Sequence, residues 1–518
     1  MLRSGRKIRS FFVMGMAVVL GSVTAWGSTA HFNDASKVKG SGDWNAFVQK
    51  WDSTAQDCTN VSITPGCAQT EINFAWYSRT DGGATPVVHF GESKNALKAF
   101  SGTTASVDST LTGGVQYDYN YVTVTGLKEN RTYYYTVEKN GTQSAVKTFK
   151  TGSFENVSIL YVGDPQIGAS KGQSQNGETL ANTDGAANTA ARNDSYGWNR
   201  TLETAVKNNS GLNFIISAGD QVNKTGKAKE EEYAGYLSPD ILSSIPVATT
   251  IGNHDSLNPD YAFHFNNPNP TGNGKTQAGG DYYYRYGVGL FIVLNTNNYN
   301  AAEHEATIKE ATDANPDAKW RVVTIHQDIY GSGLDHSDTD GMILRTQLTP
   351  VFDQYKIDVV LQGHDHTYSR SKILRGDGQN HQNYEFRLND EGSDYDWDHA
   401  YNKDTGEKIP LVPAADDAAG TAAEQGFAND NKCYTTTDSG STVTNPNGIL
   451  YMTANSASGS KYYELVPTQQ DYIANRSQNW LPSYSVINMT SSSFTITTWQ
   501  IRDDGNIERI DQPFTIRK

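Results

Sequence analysis

Six side chains in five short segments have the types and the order of a two-metal hydrolytic centre. Asp164 stands in GDPQ, Asp220 in GDQV, Asn253 in GNHD, His326 alone at the end of an apolar run, and His364 and His366 in GHDH. A phosphoester is anionic and resists water, so its hydrolysis calls for hydroxide at neutral pH and for neutralised charge on the phosphoryl oxygens. Two divalent cations about 3.5 to 4 Å apart do both. They need a carboxylate that reaches both ions, further carboxylate or amide oxygens and neutral imidazoles, which is the set these segments offer. His364 and His366 are two apart and share a side of an extended chain, which suits neighbouring ions. Asp255 and Asp365 read as turn formers or as groups that orient an imidazole.

Nearly every segment begins where an apolar, β-rich run stops. Such runs cover 157–162, 213–218, 246–251, 288–294, 321–325 and 357–361, with helical patterns at 198–207, 230–242 and 342–355. This alternation predicts an α/β domain whose polar residues gather on loops at one sheet edge. The tail, 448–518, is β-rich again and is expected to complete the second sheet. Stretches 169–196 and 375–438, rich in Gly, Asn and Ser or in Asp and Glu, read as inserted loops flanking the site. Asp394, Asp396 and Asp398 have the spacing of a calcium loop, but His399 stands where its glycine belongs and Thr405 where its glutamate belongs, so this reads as a solvated loop.

Upstream, 70–150 alternates apolar and polar residues between Gly and Asn turns, which predicts a small antiparallel sandwich. Its LKENRTYYY stretch, Leu127 to Tyr135, resembles the L-x-P-x-T-x-Y-x-Y stretch of fibronectin type III domains, with Glu129 in the proline position and Arg131 in the threonine position. That resemblance implies a tyrosine corner. The division is then 1–30 a signal peptide, 31–152 a fibronectin type III-like sandwich and 153–518 the catalytic domain.

Residues 1–30 carry Arg3, Arg6, Lys7 and Arg9, an apolar stretch from Phe11 to Leu20 and small residues at 25–30. The apolar stretch is shorter than the ~20 residues a membrane span needs, and the pattern is that of a secretory signal. The protein is expected outside the cytoplasm, either secreted, periplasmic or on the cell surface, with no membrane contact once the signal is gone. The net charge of −15, more negative still without those four basic residues, argues against a nucleic-acid scaffold. With 518 residues, 36% of them hydrophobic, two or three folded domains are expected. Cys58 and Cys67 flank Pro65 and Gly66, and an exported protein can hold a disulfide there, leaving Cys433 over. Oligomeric state is not legible in the chain.

Taken together, GDPQ, GDQV, GNHD, His326 and GHDH resemble the calcineurin-like metallophosphoesterase superfamily and, with the preceding sandwich, its purple acid phosphatase branch. The resemblance implies a four-layer α/β/β/α fold and two divalent ions, Zn, Mn or Fe(II). Asp164 and His366 would hold the first ion, Asn253, His326 and His364 the second, with Asp220 bridging; a hydroxide shared by the ions would attack phosphorus in line, with His254 as acid or charge stabiliser. Two positions depart from the family. Gln166 stands where many members have histidine, as a ligand or as a partner of bound water. Asn223 stands where purple phosphatases have the tyrosine behind their colour, which points to a redox-inert pair. Tyr330 and His336, and Tyr368 and Arg370, are expected to line a cleft for a small phosphorylated substrate. The function expected is phosphomonoester hydrolysis of the acid phosphatase kind. The alternatives are a phosphodiesterase or nucleotidase on the same site, or a secreted binding protein with weak catalysis.

Overall fold

The computed structural model describes residues 42–518 except 80–84, 172–173, 176–177, 180–183, 227, 335–339, 388–395, 397–398 and 411–415. The proposed signal stretch and His336 lie outside the described residues, as do Asp394 and Asp398.

Two seven-strand paths face each other. The first runs Val247–Thr249, Phe214–Ser217, Val157–Val162, Ser483–Met489, Ser493–Ile501, Phe514–Arg517 and Thr442–Thr444, with Ile507–Arg509 paired to the side. The second runs Tyr282–Tyr286, Gly289–Val293, Trp320–Thr324, Val359–Gln362, Leu450–Thr453, Tyr368–Ser371 and Ile473–Ser477. Strand alternation sorts their side chains into layers. Val157, Ile159 and Tyr161 face the inter-sheet core with Phe214, Ile216, Phe291, Val322 and Val359. Leu160, Val162 and Ile215 point the other way, onto Trp198, Leu202, Tyr233 and Tyr236 of helices Asp184–Asn208 and Glu230–Leu237. On the far side Ile292, Val323 and Val360 meet Ile308, Leu344 and Phe352 of helices Ala301–Ala314 and Asp340–Gln354. Both faces of both sheets are covered, hence the uninterrupted apolar runs. The result is the α/β/β/α sandwich. Helix Ala301–Ala314 shows the matching period, burying His304, Thr307, Ile308, Ala311 and Thr312.

The tail supplies Ser483–Met489, which pairs antiparallel with Val157–Val162. Tyr161 locks the sheets together: its hydroxyl accepts the Gln362 N–H at 3.0 Å and donates to the Met452 carbonyl at 3.0 Å.

The upstream sandwich packs the sheet Ser62–Pro65, Glu71–Arg79, Tyr117–Thr125, Thr103–Ser106 against Lys98–Ser101, Val87–Gly91, Thr132–Lys139, Lys147–Lys150 around Phe74, Trp76, Phe90, Val124 and Tyr135. The Tyr133 hydroxyl accepts the Lys128 N–H at 2.8 Å, a corner reaching back five residues. The sandwich docks through hydrogen bonds: Thr64 and Asn73 to the Asn266 carbonyl at 2.7 and 2.9 Å, Tyr135 to the Ser243 carbonyl at 2.6 Å.

Four readings change. Cys58 and Cys67 are free thiols. They stand in different surroundings on either side of strand Ser62–Pro65: Cys58 packs beside Tyr77, Val107 and Tyr117, whereas the Cys67 carbonyl accepts the Arg285 amide at 3.0 Å. The stretch 169–196 is helical from Asp184 onward, because Ala190, Ala191 and Ser195 are small enough to bury and the Asp194 carboxylate accepts the Gly168 and Ser170 amides at 2.9 and 3.1 Å. In and around 375–438, a two-stranded sheet of Ile373–Gly376 and Tyr434–Asp438 brackets the sheet Tyr384–Glu385, His399–Asn402, Lys408–Pro410 and helix Ala418–Asp430, a small module over Ile343, Ala400, Ile409 and Phe427.

The fourth concerns the cleft. Tyr368 and Arg370 share a strand face and turn inward, where the Tyr368 hydroxyl and Arg370 Nε donate to Asp511 Oδ2 at 2.8 and 2.6 Å and the guanidinium lies over Phe514. Tyr330 is buried against Tyr434, Tyr451, Tyr472 and Arg345. These three are packing residues, not cleft residues. Removing one partner of a buried ion pair leaves the other charge uncompensated. Asp511→Ala is therefore expected to destabilise the protein by about 3–5 kcal/mol, read as a lower urea midpoint at an unchanged slope.

Candidate metal centre

Each candidate ligand is carried by a loop leaving one edge of the two sheets. Val157–Val162, Phe214–Ser217 and Val247–Thr249 run parallel and end before Asp164, Asp220 and Asn253. Trp320–Thr324 and Val359–Gln362 also run parallel and end before His326 and His364. Asp164, Gln166, Asp220, His364 and His366 all have positive φ, from 36 to 71°. Such residues carry about 1–3 kcal/mol of strain each and persist only where the surroundings impose them. Two motif glycines show what is being imposed. A Cβ on Gly252 would sit 2.0 Å from Asp220 Oδ1, and one on Gly219, whose φ is +105°, would sit 2.3 Å from His326 Nδ1.

The side chains converge as donors of electron pairs. The His326 Nδ1–H donates to the Ala218 carbonyl at 2.9 Å, so Nε2 presents its lone pair to the site. Nε2 then meets Asn253 Oδ1 at 3.0 Å, His364 Nδ1 at 3.1 Å and Asp220 Oδ1 at 3.5 Å. One ligand atom each from Asp220, His326 and His364 lies within 4.8 Å of the other two. On the other side, the His366 Nδ1–H donates to the Lys461 carbonyl at 2.8 Å, and its Nε2 stands 3.6 Å from Asp164 Oδ1. Gln166 gives its Nε2 to Asn223 Oδ1 at 3.3 Å, while its Oε1 is buried without a hydrogen-bond partner. Lone pairs facing one another fit a divalent cation between them, and an orphaned buried amide oxygen fits an incomplete ligand set on the Asp164 side.

Without a cation, protons balance the charge. Burial would raise Asp220, but His326, His254 and His364 around it hold its carboxyl far below the usual carboxylate range. Burial would lower His326, but Asp220 and Asp164 push it up to about 9. A metal ion at His326 takes the place of that proton.

The loops are laced together. The Gln166 and Asn223 amides donate to the Asp220 and Ile167 carbonyls at 2.8 and 3.0 Å, and the His364 amide donates to Asp164 Oδ2 at 3.0 Å. His254 is fixed at two points: its amide donates to Asp220 Oδ1 at 2.9 Å, and its Nδ1–H points at the Asn223 carbonyl. Its Nε2 lies 4.0 Å from Asp220 Oδ2, and its side chain is 23% exposed where the ligands around it are almost fully buried. Asp255 and Asp365 orient backbone: Asp255 Oδ2 accepts the Gly252 amide at 3.0 Å, Asp365 Oδ2 the Ser332 amide at 2.7 Å.

Sequence reasoning missed the loop 454–464. It follows Leu450–Thr453, which runs parallel to the His364 strand, so it reaches the same edge. Ser456 and Ser460 donate to the Asp164 and Pro165 carbonyls at 3.1 and 3.2 Å, and Tyr463 sets its ring edgewise 5.3 Å from His366. A serine-rich run after a buried strand was the available signal. Glu232 was missed too; it accepts the Asn223 and Lys224 amides at 2.8 Å each.

Residues 157–368 match the calcineurin-like phosphoesterase family, and residues 58–151 match the N-terminal domain of purple acid phosphatases. An uncharacterized protein of Mycobacterium tuberculosis is 33% identical over 103 residues, 19% of this chain and 17% of that protein. Purple acid phosphatase 5 of Arabidopsis thaliana is 25% identical over 181 residues, 34% of this chain and 42% of that protein. The chain thus spans less than half the length of these curated relatives. The structure of a purple acid phosphatase from yellow lupin (Lupinus luteus) seeds superposes with a TM-score of 0.54 at 14% identity, covering 89% of this chain and 74% of the other.

Gly252→Ala is expected to displace Asp220 and weaken metal binding at least about tenfold, measured by titrating metal into stripped protein. Burial pushes the Glu232 carboxyl up to about 7, against the Asn223 and Lys224 amides, from an unfolded value near 4.5. Its stabilising contribution is complete below that unfolded value and is lost as pH rises through 7, by at most about 3 kcal/mol. Urea midpoints at pH 5 and 8 should differ by less in Glu232→Gln than in the unaltered protein.

Proposed function

We propose that the chain is a metal-dependent phosphoesterase exported from the cytoplasm, a reading supported by the match of residues 157–368 to the calcineurin-like phosphoesterases and of 58–151 to the purple acid phosphatase N-terminal domain. Its substrates are small phosphomonoesters. The observation that carries this reading is the confrontation of lone pairs at His326 Nε2, with Asn253 Oδ1 at 3.0 Å, His364 Nδ1 at 3.1 Å and Asp220 Oδ1 at 3.5 Å.

Asn253, His326 and His364 would hold one ion, Asp164 and His366 the other, and Asp220, between the two groups, would bridge them. When bound, the ions supply hydroxide at neutral pH and neutralise charge on the phosphoryl oxygens. Gln166, through its orphaned Oε1, completes the Asp164 side. Asn223 holds no ion: its side chain accepts from Gln166 and its carbonyl faces His254. With asparagine there, no tyrosinate would give the charge-transfer colour, and the ions would be a divalent pair, Zn, Mn or Fe(II).

His254 is the one group of the cluster open to an incoming ester. Its Nδ1–H is committed to Asn223, so only the cationic imidazole has an Nε2 proton to give to the leaving-group oxygen. The division at residues 152 and 153, a fibronectin type III-like character for the sandwich and removal of 1–30 on export belong to the same proposal.

The test is hydrolysis of p-nitrophenyl phosphate by the purified protein before and after chelation and metal replacement, with bis-(p-nitrophenyl) phosphate in parallel. Chelator-sensitive turnover of the monoester with near two metals per chain is expected; faster diester turnover would make it a phosphodiesterase. A folded protein that stays inactive with every metal would make it a binding protein. Asp220→Ala is expected to lose both metal and turnover. His254→Ala should keep its metal and lose about 10²–10⁴ in kcat, and full turnover in that variant would remove His254 from the chemistry.

A further inference from the structure

Lys229 sits where a lysine is hard to explain by stability. It is the N-cap of helix Glu230–Leu237 and makes no side-chain cap, a position that favours Ser, Thr, Asp or Asn and repels cations. Its side chain is 0% exposed. A buried ammonium is costly to desolvate, and a buried ion pair seldom outperforms well-packed apolar side chains. Its ion-pair partner is distant: Asp260 Oδ1 stands 3.8 Å away, Asp260 Oδ2 is buried without a hydrogen-bond partner, and burial pushes that carboxyl up to about 7, while the other acids that feel the ammonium, Asp255 and Glu232, accept backbone amides instead.

What the ammonium does touch is backbone beside the metal centre. Lys229 Nζ donates to the His254 carbonyl at 2.9 Å and to the Lys224 carbonyl at 3.3 Å. Three residues on, Glu232 accepts the Asn223 and Lys224 amides, and the Asn223 carbonyl faces His254 Nδ1. His254 is thus held through its ring by Asn223, its amide by Asp220 and its carbonyl by Lys229. Between them, Glu230 reaches out to His264 at 2.8 Å and to Tyr77 of the upstream sandwich at 3.1 Å.

We propose that Lys229 is a positioning residue for His254: its buried ammonium fixes the peptide of the GNHD turn so that the His254 imidazole is aimed at the leaving-group oxygen. This rests on the phosphoesterase reading above. Lys229 touches neither substrate nor metal and acts only through His254.

A positioning role predicts non-additivity with its target, whereas a general structural role acts alike in any background. The experiment measures kcat, KM and metal content with p-nitrophenyl phosphate for Lys229→Met in the unaltered protein and in His254→Ala, using metal-loaded full-length chains. In the unaltered background kcat should fall about tenfold or more, with KM and metal stoichiometry little changed. In the His254→Ala background the same substitution should change kcat less than about twofold. An equal factor in both backgrounds, or a loss of metal in step with kcat, overturns the proposal. Should Lys229→Met alone leave the buried Asp260 carboxyl too poorly compensated for the chain to fold, the pair Lys229→Met/Asp260→Asn removes both charges and is compared in the same two backgrounds. Absence of turnover in the unaltered protein with any metal would defeat the phosphoesterase reading first, and this inference with it. Turnover with equal effects defeats this inference alone.

Discussion

Electron-pair donors do not sit nose to nose of their own accord. In a low-dielectric interior the approach of Asp220, Asn253, His326 and His364 around one point, and of His366 towards Asp164, is repulsive unless positive charge stands between them. The frame must hold them regardless, and much of the fold serves that end. Two sheets buried on both faces give stiff strand ends. Tyr161 bolts the strand that delivers Asp164 to the strand that delivers His364. Glycines at 219 and 252 let His326 and Asp220 come closer than any side chain would permit.

The outer layers extend the same constraint. The GNHD turn leads into helix Asp260–His264 and the Asn266 carbonyl on which the upstream sandwich is seated through Thr64 and Asn73. The candidate ligands all lie downstream of the sandwich, between Asp164 and His366. The sandwich clamps the chain just downstream of Asn253 and His254, and its Tyr77 stacks on His264 at 4.5 Å between that clamp and Glu230. The seam joins these polar contacts to aromatic stacking, Tyr119 on Phe263 at 4.8 Å besides Tyr77 on His264, so it both orients the sandwich and buries apolar surface.

The sequence disclosed what is local. An apolar run ending in glycine and one polar residue announces a strand end, and five such endings with complementary donors name both the architecture and the ligands. Direction and distance were hidden. Tyr368 and Arg370 follow GHDH directly, yet strand parity turns them into the core towards Asp511, far along the chain. Tyr330 lies near His326 in sequence, but tyrosines from three other segments enclose it. The helix beginning at Asp184 looked like a loop because its Gly, Asn, Asp, Ser and Thr residues have weak helix propensity, which its alanines and tertiary packing override. Lys461 and Tyr463 come from a loop whose relevance depends on Leu450–Thr453 pairing beside the His364 strand.

The pairing of Val157–Val162 with Ser483–Met489 has a bearing on how the protein is made. On a growing chain, the strand leading to Asp164 has one edge satisfied early by Phe214–Ser217, while its other edge waits for Ser483–Met489, far downstream. Contacts between such distant parts of a chain form slowly and leave hydrogen-bonding edges open to wrong partners meanwhile. Nascent chains without the tail therefore hold the Asp164 loop on a half-finished sheet. The Asp164 loop accordingly reaches its final setting only once that distant strand has docked.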